Sequence, residues 1–188
     1  MLRPGCRREC LRPARGPAGY TLIEALFVCA LVAVLTAVAV PISLAGVNRA
    51  RGWAGARFVA SRFVRARAQA VGRGAAVAVR IDGEGREAAV SSFADANHTG
   101  VLTRDIDDGI DPRLDGPVAL AALFPGVAIT DEGAVRLFSF SPDGTATSAS
   151  LYLESRDGSR FAVRVLGTTA RIRIERYVTS RNEWVEGF

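Results

Sequence analysis

Glu24 is the residue whose chemistry is hardest to reconcile with its setting. It stands near the start of a strongly apolar stretch, residues 20–47, and residues 25–47 carry no charge at all. At about 1.5 Å per residue, that uncharged run is long enough to cross about 30 Å of hydrocarbon. A carboxylate at mid-span costs roughly 2.5–3.5 kcal/mol, so it needs a partner or a place in the headgroup layer. A position in the first helical turn, at the positive end of the helix dipole, also lowers the cost. Neither placement explains why Gly19-Tyr20-Thr21-Leu22-Ile23-Glu24 stands directly behind a basic segment.

The other residues that could do chemistry form weaker patterns. Asp105, Asp107, Asp108, Asp111 and Asp115 are the densest acidic cluster. An EF-hand loop needs acids at alternate positions, then Gly and a distant Glu. Here Gly109 falls where a ligand belongs, so the cluster reads as a solvated loop. His98 is the only histidine and has no nearby Ser or Cys with a base relay. Ser139 and Ser141 lie in no Gly-x-Ser-x-Gly setting. Cys6, Cys10 and Cys29 make no Cys/His cluster for zinc. Catalysis, a metal and a cofactor are therefore not expected. Arg171 and Arg173 remain. With Arg160, Arg164, Arg176 and Arg181 they give the last 31 residues six Arg against three Glu. They read either as a phosphate-binding face or as ordinary outward-facing strand residues.

The elements that hold these residues follow from composition and periodicity. A chain of 188 residues suits one modest domain plus a membrane or targeting segment. Its net charge of +5 resides mostly in residues 1–19, which hold five Arg against one Glu. Without them 19 basic and 18 acidic residues remain, a net charge of +1. That segment is rich in Pro and Gly and forms no stable helix. An ordinary secretory signal puts small residues after its apolar region. Here Ala18-Gly19 precede it, so cleavage at that point leaves the span on the mature protein. Charge alone does not orient the span, because Arg49, Arg51, Arg57, Arg62, Arg65 and Arg67 follow it closely.

Beyond the span, Val59, Phe63, Ala66 and Ala70 recur at helical spacing and predict an amphipathic helix over 48–74. Between residues 48 and 81 there are eight Arg and no acid, which fits anionic headgroups, acidic neighbours or a solvated face. Gly72 and Gly74 end the helix. Short β-prone runs follow at 76–81, 87–93, 118–123, 127–130, 136–141, 150–155, 160–166 and 171–178, with 94–117 as an excursion. Pro142-Asp143-Gly144 is a turn. In 171–178, Ile172 and Ile174 face one way and Arg171, Arg173 and Glu175 the other. Links this short favour antiparallel pairing. The predicted class is α+β: a long N-terminal helix packed on an antiparallel β domain. The predicted segments are a basic leader (1–19), a transmembrane and assembly helix (20–47), an amphipathic spine (48–74) and an extracytoplasmic β domain (75–188).

The string from Gly19 to Glu24 resembles the processing motif of type IV pilins and type II secretion pseudopilins. The resemblance implies cleavage by a prepilin peptidase between Gly19 and Tyr20, with N-methylation of Tyr20, although Phe is commoner there than Tyr. Glu24 then becomes the fifth residue of the processed chain, whose carboxylate in the family pairs with a neighbouring subunit's N-terminal amine. Pro41 falls where many pilins carry a kinking proline. Phe138-Ser139-Phe140-Ser141-Pro142-Asp143-Gly144 and the strands after it are similar to GspH minor pseudopilins and FimT-type minor pilins. The resemblance implies a structural subunit near a pseudopilus tip. It would be anchored in the inner membrane by one pass, with its C-terminal domain in the periplasm or outside. Its partners would be other pseudopilins or minor pilins and membrane lipid. Some FimT-like pilins take up DNA through a Gly-Arg-x-Arg element. Here Ala170 stands in place of that Gly, and Arg171 and Arg173 supply the rest. A FimT-like minor pilin that binds DNA is thus the first alternative, and a single-span membrane-anchored enzyme the second.

Overall fold

A computed structural model describes residues 19–130 and 135–187. The expected leader other than Gly19, with Cys6 and Cys10, lies outside the described residues. Helix α1 runs Leu22–Arg73 without interruption through Pro41 and Gly46. Thr21 caps its start, Oγ1 accepting the Glu24 main-chain N–H at 3.3 Å. Gly74, at φ +66°, closes its end by donating its N–H to Ala70 O.

The chain divides into two compact units, residues 1–42 and 43–188. In the first, every described residue is exposed. In the second, Val59, Phe63, Ala66 and Ala70 are all buried, as their spacing predicts, and Gly52, Gly55 and Ala56 extend the same face.

That face is covered by two antiparallel sheets. The strands are β1 (Val77–Asp82), β2 (Ala89–Ala94), β3 (Arg113–Ala119), β4 (Val127–Thr130), β5 (Leu137–Phe140), β6 (Ala149–Ser155), β7 (Arg160–Leu166), β8 (Arg171–Val178) and β9 (Glu183–Glu186). Two short helices, α2 (Thr103–Asp107) and α3 (Leu120–Leu123), interrupt them. One sheet has the order β3-β2-β1-β5 and the other β4-β6-β7-β8-β9. The fold is α+β.

Aromatic rings tie α1 to both sheets. The Phe63 ring lies 4.6 Å from Phe138 and 5.9 Å from Phe140, both of β5, and Trp53 lies 6.1 Å from Phe161 of β7. Phe63, Phe138, Phe140 and Phe161 are fully buried. Each contributes about 1.5–3 kcal/mol relative to an exposed position. A bidentate-capable clamp sits at the helix surface, where Arg62 and Arg65 both reach the Asp115 carboxylate of β3.

Four sequence expectations change. The excursion predicted over 94–117 ends earlier, because 113–117 already belong to β3. Its Asp residues are not all solvated. Asp105 and Asp111 are buried, and Ala78, Phe93, Val101 and Ile106 form a second apolar cluster that includes α2. The excursion thus packs over the second face of β1, which periodicity within one strand could not show. Residues 118–123 are not one strand, since β3 stops at Ala119 and α3 turns away. Finally, β9 was not expected at all.

Candidate functional site

Gly19 and Tyr20 are exposed and precede the helix in irregular backbone. Glu24 lies in the first turn of α1. Its carboxylate makes no hydrogen bond or ion pair among the described residues, and Leu22, Ile23, Leu26 and Phe27 around it are all exposed. Thr21 satisfies the helix-end N–H, so the Glu24 side chain is not needed as a cap. The most apolar part of α1 is long enough to cross a membrane, and none of it is buried within the chain. Pro41 falls inside this exposed segment.

Arg171 and Arg173 lie on the outer face of the second sheet. Glu186 of β9 reaches both, at 4.0 Å from Arg171 Nη2 and 3.2 Å from Arg173 Nη1. Beside them Arg164 Nε donates to Glu175 at 2.6 Å, and its Nη1 donates to Ser150 Oγ at 3.2 Å. The Glu175 contact raises the Arg164 pKa against the opposing effect of burial. Tyr152 and Tyr177 pack on Trp184 at 5.5 and 5.2 Å, with the Arg164 guanidinium above the Tyr152 and Trp184 rings. Sequence reasoning found the two arginines but missed Glu186 and Trp184. Their only signal was a short β-prone pair, Trp184-Val185, between Glu183 and Glu186 after a turn.

Ala170, which replaces the expected Gly, has φ +46° and a buried methyl. The backbone there adopts the left-handed form that Gly favours, even though the side chain is present.

The acidic excursion holds itself together. Asp95 accepts the Asn97 and Gly100 N–H groups, Asp105 accepts Asn97 Nδ2 and Thr99 Oγ1, and Asp111 accepts the Ala96 N–H. Asp107 pairs with Arg80 at 2.7 Å. Hydrogen bonding from Asn97 first, then Arg104 and Thr99, holds Asp105 below the usual carboxylate range despite its burial. At Asp115 burial pushes upward, but Arg62 and then the Gly116 N–H outweigh it and hold the group low. His98 is exposed at the tip of this loop, at φ +60°. No group of three metal-ligating side chains stands together among the described residues.

Residues 55–169, more than half of the chain, match the family model described as Type II transport protein GspH. The chain belongs to the GspH family. It is accordingly a pilin-like structural subunit, a pseudopilin or minor pilin that assembles with other pilin-like subunits, and not an enzyme. The match begins inside α1, so Gly19, Tyr20, Glu24 and Pro41 lie outside it, as do Arg171 and Arg173. Among solved structures, the type IV minor pilin FimU of Pseudomonas aeruginosa (strain PAO1) is similar, with a TM-score of 0.46 and 16% identity. The match covers 68% of this chain and 90% of that one. No curated protein matches the chain.

Proposed function

We propose that this GspH-family chain is a minor pseudopilin of a type II secretion system, at or near the pseudopilus tip. In this reading the leader is cut after Gly19, Tyr20 is methylated, and residues 20–47 anchor the subunit in the inner membrane. On polymerisation the same residues enter the filament core, Glu24 meets the N-terminal amine of a neighbour, and Pro41 adjusts the helix path. The observation that carries this reading is the wholly uncovered apolar half of α1. An exposed apolar surface of that size needs lipid or other helices around it. An unpaired carboxylate at its start needs a cation that the rest of the segment does not supply.

Intact-mass analysis of membrane-extracted protein tests the processing step, with a chain beginning at methylated Tyr20 as the expected product. A chain retaining residues 1–19 overturns it. Glu24→Ala should insert normally yet enter filaments poorly. Incorporation equal to the parent counts against the role given to that carboxylate.

A second reading, a FimT-like minor pilin that binds DNA, draws on Arg171 and Arg173 sharing one sheet face with the half-buried rings of Tyr152, Tyr177 and Trp184. Glu186 works against it by offsetting one of the two positive charges. Salt-sensitive retention of duplex DNA, lost in Arg171→Ala/Arg173→Ala, would favour this reading.

A further inference from the structure

Where β6, β7 and β8 run side by side, their outward side chains form rows across the strands. Ser150 stands opposite Arg164 and Arg164 opposite Arg173, and in the next row Leu166 stands opposite Arg171. With Ser148 these residues line a cleft of about 440 Å³ beside the turn that joins β7 to β8. The charges in it are unequally engaged. Arg164 is fixed, since Glu175 accepts from its Nε at 2.6 Å and Ser150 Oγ from its Nη1 at 3.2 Å. Arg173 and Arg171 have only Glu186 between them, at 3.2 and 4.0 Å. Among the described residues, three guanidiniums in and around the cleft thus face two carboxylates, and one positive charge is left over. It falls at Arg171, the more distant of the pair, whose side chain is 61% exposed.

The rest of the lining narrows what could occupy it. Leu166, about half exposed, puts an apolar wall beside Arg171. Ser150 accepts from Arg164, so its own hydroxyl hydrogen is available to donate. A few convergent polar groups around an apolar wall are the usual make-up of a ligand site. A guanidinium with spare N–H donors suits a carboxylate, which it holds through two parallel hydrogen bonds. One carboxylate needs only the one charge that remains. Duplex DNA, with a charge about every 1.7 Å of its axis, needs many cations. It would also meet Glu154, Glu175 and Glu186, which stand on the same face. Three adjacent strands span about 10 Å, the length of roughly three extended residues.

We propose that this cleft binds a short acidic peptide segment of a partner protein. An Asp or Glu carboxylate of the segment takes the Arg171 guanidinium, and an apolar side chain next to it lies on Leu166. The Ser148 and Ser150 hydroxyls, on the far side of Leu166, serve the polar groups of its main chain. Glu186 competes with the segment for the two arginines.

The test uses the full-length protein in an uncharged detergent, with fluorescence anisotropy of a labelled octapeptide of Glu and Ser around one central Leu. This peptide should bind at least tenfold more tightly than its counterpart with Gln for Glu. Arg171→Gln should lower its affinity to that of the Gln peptide, and Leu166→Ser should weaken it at least threefold. Glu186→Gln removes the competitor and should tighten binding at least threefold. Arg181→Gln and Glu183→Gln make the same charge changes outside the cleft, and each should stay within twofold of the parent. Changes in these two as large as those in Arg171→Gln and Glu186→Gln reduce the effect to net charge and overturn the site. A peptide that binds no better with Glu than with Gln overturns it too. Binding of a short duplex DNA in place of the peptide overturns it in favour of the nucleic-acid reading.

Discussion

Gly52 of α1 lies flat against the Phe161 ring of β7: a Cβ at Gly52 would stand 2.5 Å from Cε2 of that ring and 2.9 Å from Ser155 Cβ. The ring is fully buried and cannot swing aside. Gly52→Ala should therefore lose about 1–3 kcal/mol to overpacking, more than the roughly 1 kcal/mol that Ala gains over Gly in a helix. Gly46→Ala has nothing within 4 Å and should keep only the gain. Thermal unfolding of the two variants in one detergent should move in opposite directions.

Asp115 has two arginine partners of unequal value. Both donate to the carboxylate, but Arg62 is 17% exposed, whereas Arg65 is 61% exposed and bonds at the longer distance of 3.3 Å. Double-mutant cycles to Ala should give a coupling of about 1 kcal/mol for Arg62–Asp115 and less than about 0.5 kcal/mol for Arg65–Asp115. Equal couplings would contradict the burial argument.

Ala170 sets two effects against each other. Its left-handed backbone costs about 1–2 kcal/mol relative to Gly, and its buried methyl returns about 0.8 kcal/mol. Ala170→Gly should remain within about 1 kcal/mol of the parent, while Ala170→Val keeps the backbone cost and adds a side chain with no room. Chemical denaturation of both variants checks this. In the DNA-binding reading, Ala170→Gly completes the Gly-Arg-x-Arg element and should not weaken retention.

Acid should loosen the excursion and the Asp115 clamp. Asp105, Asp115, Asp143 and Asp157 are all held below the usual carboxylate value, which is about 3.9. As pH falls, the unfolded chain takes up protons first. The stability these groups contribute is thus complete above their unfolded pKa values and drains as pH drops through the lower folded values. Melting followed from pH 6 to pH 2 should show the loss below about pH 4, and Asp105→Asn should show a shallower fall.

Glu24 against its apolar surroundings, the Val59–Phe63–Ala66–Ala70 stripe, and β7 and β8 at their full lengths were all legible in the sequence. Each depends on local chemistry or on a period that a single segment displays. Tertiary structure alone decided that the strands split into two sheets and that 95–112 covers the second face of β1. It also decided that buried Asp105 and Asp111 serve as acceptors for loop donors, and that Glu186 comes to rest between Arg171 and Arg173. Those facts depend on which surfaces meet after long stretches of chain have closed. Residues such as Glu186 and Gly52 take their meaning from a partner that sequence spacing does not reveal.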